Sequence, residues 1–318
     1  MTKIKIAAEF DPDADFILHH GDCLDLLARL PDEFVQLVVT SPPYNIGKSY
    51  EKHLDLDVYL KKQRLVIEEC VRVLAESGSI CWQVGNYVEN GEIIPLDILL
   101  FPIFSSLHLH LRNRIVWHFG HGLHASKRLS GRYEVILWFT KGNDYVFNLD
   151  AIRVPQKYPQ KKYFKGPKKG QLSCNPLGKN PSDVWEIPNV KANHVEKTIH
   201  PAQFPVELIE RLVLSLTAEG DWVLDPFMGV GTTAVASLMH GRKAIGAEIM
   251  SEYVEIAKER VHLAEKGALR VRPMERPVYD PARRVVIPPQ IVNLKAASRQ
   301  ARLFEEESQY VVEKGEQN

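Results

Sequence analysis

The chain has 318 residues, 45% hydrophobic and 25% charged, with forty basic residues balanced by forty acidic ones; this is the composition of a globular protein, not of a disordered or collagenous one. Its longest apolar stretch, Ile93 to Phe104, is broken by Pro95, Asp97 and Pro102 and falls short of the roughly 20 residues that span a bilayer, and Met1 to Ala8 lack the apolar centre of a secretory signal. Cys23, Cys70, Cys81 and Cys174 include no pair at two-residue spacing, which argues against a disulfide framework or a zinc ribbon and fits a reducing cytoplasm.

Short apolar runs alternate with amphipathic stretches, the pattern of an α/β fold. In chain order, strands are expected at Phe16 to His19, Leu37 to Thr40, Ser79 to Val84, Arg114 to Trp117, Val135 to Thr140, Trp222 to Asp225 and Ala244 to Glu248. A helix is expected over Val58 to Glu76, with Gly78 as its C-terminal cap. Pro205 suits a first helical turn, and Leu208, Ile209, Leu212, Val213 and Leu216 follow at helical spacing. Thr232 to His240 and Glu252 to Lys266 complete the expected core helices, closed by Gly241 and Gly267.

Overall neutrality hides a local asymmetry. Residues 153–197 carry ten basic side chains against three acids, a net +7, together with many prolines and glycines and no helical period. That composition predicts a loop-rich basic segment. A second basic stretch runs from Arg270 to Arg302.

Two loops carry chemistry. The first, Asp225-Pro226-Phe227-Met228-Gly229-Val230-Gly231-Thr232-Thr233, joins a buried strand to a helix. Its glycines let a ligand approach the backbone, and the helix start offers unpaired N–H groups. The next strand ends in Glu248, near the distance at which nucleotide-binding folds place an acid on ribose hydroxyls. The second loop, Ser41-Pro42-Pro43-Tyr44-Asn45, follows the strand ending at Thr40. Its prolines fix the backbone and leave carbonyls that only accept. A hydroxyl, fixed carbonyls and an aromatic ring together suit a planar base bearing an exocyclic amine.

These loops resemble those of the amino-methylating DNA methyltransferases, which act on cytosine N4 or adenine N6 with S-adenosylmethionine. Asp225-Pro226-Phe227 through Thr233 looks like the family's cofactor loop, and Ser41-Pro42-Pro43-Tyr44 like its catalytic tetrapeptide. His200-Pro201-Ala202-Gln203-Phe204-Pro205 is similar to a motif at the cofactor's methionine end, and Gly21-Asp22-Cys23 to one near its adenine. The catalytic loop precedes the cofactor loop, as in the family's β group. The resemblance implies a Rossmann-like seven-stranded α/β sheet with helices on both faces. It also implies a circular permutation in which the sheet's first two strands come last in the chain.

By the same resemblance the chain divides into a catalytic half (1–152), a target-recognition insertion (153–197), a cofactor-binding half (198–267) and a basic C-terminal extension (268–318). Ser41, Pro42, Pro43 and Tyr44 are the implied catalytic residues, with Ser41 and the Pro42 carbonyl accepting from the target amine and Tyr44 stacking on the flipped base. Asp22 and Glu248 would hold the adenosine beside Cys23 and Phe227. His200, Gln203, Asp225, Gly229, Gly231 and Thr232 complete the cofactor set. The insertion would hold double-stranded DNA through Lys161, Lys162, Lys165, Lys168, Lys169 and Lys179, with Tyr158, Tyr163, Phe164 and Trp185 available to stack or wedge.

Serine before Pro-Pro-Tyr is commoner among the family's cytosine N4 enzymes, so N4-methylcytosine is the expected product and N6-methyladenine the alternative. The setting expected is a restriction-modification system in a bacterial or archaeal cytoplasm, the protein being a monomer or homodimer with a possible cognate restriction endonuclease. An oxidoreductase using a nicotinamide cofactor would not explain Ser41 to Tyr44, and a catalytically inactive DNA-binding relative would have lost a motif. His118, His121 and His124 stand three apart, but Gly120 and Gly122 oppose the helix that would align them on a metal. A loop facing the DNA or the target base is expected there, and no metal.

Overall fold

The computed structural model describes residues 3–47, 51, 53–120, 122, 124–191 and 193–274. Most of the basic stretch from Arg270 onward, and His121, lie outside them. Eleven strands and six α-helices follow in order: β1 (Ile6–Ala7), β2 (Phe16–His20), α1 (Cys23–Leu27), β3 (Val35–Thr40), α2 (Leu56–Val73), β4 (Leu74–Val84), β5 (Asn86–Glu89), β6 (Glu92–Pro95) and α3 (Leu96–Ser106). Then come β7 (His110–His118), β8 (Tyr133–Thr140), β9 (Val184–Glu186), α4 (Val206–Leu216), β10 (Trp222–Asp225), α5 (Thr232–Leu238), β11 (Lys243–Glu248) and α6 (Ser251–Glu265).

All seven expected strands lie in one sheet, of order β1-β2-β11-β10-β3-β4-β8-β7-β9. The sheet has nine strands because β1 and β9 add to its edges. At two and three residues, these additions are too short for alternation to mark them. β10 and β11, last in the chain, insert between β2 and β3, the permuted order expected. Pairing is parallel from β1 through β4, and β8 is antiparallel to both β4 and β7.

Apolar residues alternate along the central strands and feed two cores. On one face Ile17, Val38, Ile80, Leu224 and Ile245 pack beneath Leu26 and Leu27 of α1, Ile67 and Cys70 of α2, and Leu100 and Phe104 of α3. On the other, Phe16, Leu37, Val39, Val223 and Ala244 pack under Leu208, Leu212, Val235 and Val261, side chains of α4, α5 and α6. A strand buried on both faces therefore reads as a continuous apolar run.

Two local readings change, and helix α3 and the β5–β6 hairpin are additional. Helix α2 begins under the Asp55 cap, whose carboxylate accepts from the Asp57 N–H, and ends at Val73 rather than Glu76. The chain passes directly into β4, where Leu74 pairs with Val35 and a register shift follows. Gly78 is not a cap; a Cβ there would lie 2.7 Å from Leu74 Cδ1, so the glycine serves a close contact inside the strand. The apolar stretch after Ile93 contains α3, which tolerates Pro102 in its interior, and its first-turn Asp97 is buried against Arg114 at 2.8 Å to Nε. The β5–β6 hairpin turns through Asn90 and Gly91, both at positive φ, an Asn-Gly signal legible in the sequence.

Two boundaries also move. The segment 184–190 is anchored in the core by Trp185 and Ile187, which are buried in it while Val184 and Glu186 stay exposed, and Trp185 Nε1–H donates to the Ser182 carbonyl at 2.8 Å. Trp185 is therefore unavailable for stacking on DNA, unlike Tyr158, Tyr163 and Phe164, which are exposed. At the other end Leu269 and Val271 pack on the core and Arg272 pairs with the buried Glu207, so the fold continues past residue 268.

Candidate active site

Four neighbouring strands, β2, β11, β10 and β3, end at the same edge of the sheet, and the loops that follow them enclose a cavity of about 250 Å³. Its walls include Asp22 and Cys23, Ser41 to Tyr44, His200, Gln203, Phe227, Gly229, Thr232 and Glu248. Residues more than 180 positions apart thus meet at the carboxyl end of an α/β sheet, where such folds bind ligands.

The cofactor-loop side is built on hydrogen bonds to backbone. Glu248 accepts from the Gly229 N–H (2.9 Å) and the Met250 N–H (2.7 Å). Burial raises its carboxyl pKa and these amides oppose the rise. Gly231 has φ 76°, and a Cβ there would lie 2.8 Å from Ala257 Cβ, so only glycine lets this turn sit on α6. Arg260 of α6 is buried behind the turn and donates to the Val230 carbonyl (2.7 Å) and to Thr232 Oγ1 (2.9 Å). Burial lowers its pKa to about 10.

Asp225 and Gly231 do not line the cavity. Asp225 is fully buried and accepts from Thr40 Oγ1, Thr233 Oγ1 and the Phe227 N–H at 2.5, 2.6 and 3.1 Å. It braces the loop from behind and does not face a ligand. Burial lifts its pKa to about 6. Gln203 reaches the wall with much of its amide committed: Nε2 donates to the Glu196 carbonyl and Oε1 accepts from Thr198 Oγ1 (2.9 and 2.8 Å). Asp22 caps α1 through one oxygen, accepting from the Leu24 N–H at 2.9 Å. The Cys23 thiol is buried, and desolvation followed by Asp22 pushes it to about 12, so it is inert as a nucleophile.

His200 Nδ1 accepts from the Ala202 N–H at 3.2 Å, which puts the ring proton of the neutral form on Nε2. Its ring meets Tyr253 edge-on at 4.7 Å. Burial, then the charges of Lys197 and Arg260, lowers its pKa to about 4.

On the catalytic-loop side, the Pro43 carbonyl accepts from Tyr59 Oη at 2.9 Å, whereas the Pro42 carbonyl has no protein donor among the described residues. Asn45, at φ 62°, ties the loop's exit to Leu54 through both ends of its amide. Ser41 Oγ and Tyr44 Oη are 3.1 Å apart, and Tyr44 Oη donates to Glu134 Oε2 at 3.1 Å. Gln83 Nε2 donates to that same oxygen. Glu134 and Gln83 lie on β8 and β4, far from any motif, and only strand pairing brings them to the loop.

A family model described as DNA methylase, for N6- and N4-methylating enzymes, matches residues 35–259. The chain is a member of that DNA methylase family. The methylase is 58% identical to the Type II methyltransferase M.BglII of Bacillus subtilis, over 76% of this chain and 67% of that one. It is 39% identical to M.ScaI of Streptomyces caespitosus, over 78% and 82%, and 36% identical to the DNA adenine methyltransferase YhdJ of Escherichia coli K12, over 77% and 82%. Among solved structures it matches TTHA0409 of Thermus thermophilus, complexed with S-adenosyl-L-methionine, at 30% identity and TM-score 0.55 over 78% and 93%. It shares its fold with a cytosine-N4-specific PvuII DNA methyltransferase, at TM-score 0.63 and 20% identity over 80% and 93%.

S-adenosylmethionine is the family's methyl donor, and the cavity fits it. One wall offers a carboxylate held by two backbone amides and an aromatic ring at Phe227. The other offers a neutral histidine beside the glycine turn. The six lysines expected to hold DNA are exposed at 161–169 and 179, away from this cavity's lining and without a protein ion pair among the described residues. Among the histidines of the expected DNA-facing loop, His124 is exposed and His118 closes β7. No group of metal-ligating side chains comes together among the described residues.

Proposed function

We propose that this methylase transfers the methyl group of S-adenosylmethionine to the exocyclic N4 of cytosine in double-stranded DNA, as the modification enzyme of a restriction-modification system. The observation that carries the reading is the placement of Ser41-Pro42-Pro43-Tyr44 across one cavity from Glu248 and the Gly229 turn. Bound there, the cofactor supplies an electrophilic methyl on a sulfonium. Asp22 and Glu248 hold its adenosine, with Phe227 against the ring system. His200 and the Gly229 to Thr232 turn hold its methionine end, and Gln203 fixes the loop that carries His200.

An exocyclic amine is a poor nucleophile because its lone pair is delocalised into the ring. Ser41 Oγ and the Pro42 carbonyl accept its two N–H groups, directing the nitrogen toward the methyl and stabilising the positive charge that grows on it. The Tyr44 ring stacks on the extruded base. Residues 153–181, with exposed lysines and exposed Tyr158, Tyr163 and Phe164, hold the duplex by phosphate neutralisation and stacking.

Ser41 before Pro-Pro-Tyr favours cytosine. Adenine N6 is the second reading, favoured by the 36% identity to a DNA adenine methyltransferase, because the same acceptors suit either amine. Expression in a methylation-free host, followed by nucleoside mass spectrometry and sequencing of the modified DNA, tests both. N4-methyldeoxycytidine is expected, and N6-methyldeoxyadenosine alone would overturn the choice of base.

A further inference from the structure

Between Ser41 and the sheet runs a short chain of polar groups whose direction can be read atom by atom. Glu134 Oε2 receives the Gln83 amide N–H, which marks it as an accepting oxygen. Tyr44 Oη has one proton, and it is donated to that oxygen at 3.1 Å. The remaining contact, Ser41 Oγ to Tyr44 Oη at 3.1 Å, then requires Ser41 to donate its only proton to Tyr44. Both lone pairs of Ser41 Oγ are left for groups in the cavity.

We propose that Glu134 is a positioning residue that orients this chain, from Ser41 through Tyr44 to Glu134, so that Ser41 meets the target amine as an acceptor. The inference rests on the functional reading above, in which Ser41 accepts from an exocyclic N–H. It assigns Glu134 and Gln83 a part in catalysis although neither lines the cavity.

Reversal of the chain is the alternative that Glu134 prevents. With no acceptor behind it, Tyr44 Oη donates forward to Ser41, which keeps one lone pair where it had two and has its own proton free to turn toward the amine in one of its rotamers. In that rotamer two donors face each other where one hydrogen bond is needed. The surroundings are shaped for the acceptor. At Gly85 a Cβ would lie 3.2 Å from Glu134 Oε1 and 3.1 Å from Tyr44 Cε2. Within the described residues Glu134 has no ion pair. Burial raises its pKa, and its hydrogen bonds from Tyr44 and Gln83 oppose the rise.

The test uses steady-state methylation of DNA by the full chain, with kcat and KM measured separately. Glu134→Leu removes the acceptor and is expected to lower kcat roughly 10- to 100-fold, with KM for DNA and for S-adenosylmethionine changed less than about threefold. Glu134→Gln keeps an accepting oxygen and is expected to restore kcat to within about threefold of wild type. Tyr44→Phe keeps the ring and removes the link. It should match Glu134→Leu in kcat, and the double variant should be no slower than Tyr44→Phe alone, since the residues act as one unit. A folded Glu134→Leu protein with wild-type kcat, or multiplicative losses in the double variant, would overturn the proposal. If Glu134→Leu fails to fold, full kcat in Tyr44→Phe overturns it equally. A wild-type protein that methylates no DNA would instead refute the functional reading on which the proposal stands.

Discussion

Thr40 Oγ1 donates a 2.5 Å hydrogen bond to Asp225 Oδ1 in the middle of the sheet, joining residues 185 positions apart. Thr40 is the last residue before the Ser41 loop, and Asp225 the last before the glycine loop. One buried carboxylate thus ties together the two loops between which, in the proposed function, methyl donor and target meet. Thr40→Val leaves Asp225 Oδ1 with only the Phe227 N–H. It is expected to cost about 1–3 kcal/mol of stability and to lower the methylation rate as the loops lose register. Urea denaturation and single-turnover assays measure the two effects, and unchanged values in both would dismiss the brace.

Glu248 offers the simplest test of the cofactor wall. Its carboxylate orders the Gly229 and Met250 amides while facing the cavity. Glu248→Ala should weaken S-adenosylmethionine binding by on the order of 1 to 3 kcal/mol, read by calorimetry. Wild-type affinity would remove Glu248 from the site.

The proposed DNA-binding segment separates affinity from stability. Replacing Lys161, Lys162, Lys168 and Lys169 should flatten the salt dependence of DNA binding by up to about 0.9 log units per lost phosphate contact. An unaltered slope would mean that these lysines only solvate a loop. Phe164, 82% exposed, should weaken DNA binding when changed to alanine, with stability held within about 0.5 kcal/mol. Trp185→Ala should do the reverse, costing about 3–5 kcal/mol of stability through the cavity it leaves.

The pH dependence of stability has opposing contributions. The pKa of His200 is lowered from 6.5 to about 4 in the folded protein, so its contribution is present above pH 6.5 and is lost as the pH falls from there through 4. Asp225 is raised from 3.8 to about 6, and its contribution runs the other way, being full below 3.8 and lost as pH rises through 6. His200→Asn keeps an acceptor for the Ala202 N–H and removes the titration. Between pH 6.5 and 4 the variant should lose less stability than wild type, by on the order of 1 kcal/mol after allowance for partial solvent exposure. Parallel stability curves across that window would show that His200 does not carry the effect.

The sheet's seven expected strands, four of the six helices that cover it and both loop motifs were legible in the chain, because strands buried on two faces need uninterrupted apolar runs and tight ligand loops need glycine and proline at fixed places; α1 and α3 were not expected. What escaped was written outside that code. The edge strands β1 and β9 have too few residues for a period, and Trp185 looked like a DNA-facing aromatic because its neighbours in sequence are basic and its neighbours in space are not. Asp225 read as a ligand from its motif, yet both its carboxylate oxygens are turned inward to Thr40, Thr233 and Phe227. Gln83 carried no signal, and Glu134 stood in the sequence only as the end of the charged run Lys127, Arg128, Arg132 after the spaced histidines. A residue acquires such a role only from the antiparallel pairing of β8 with β4, which sets Gln83 against Ile136 and brings the Glu134 carboxylate up behind the hydroxyl of Tyr44. Local chemistry selects the residues that can bind and react, but the direction of a hydrogen bond among them depends on what stands on its far side, and that is decided only by tertiary structure.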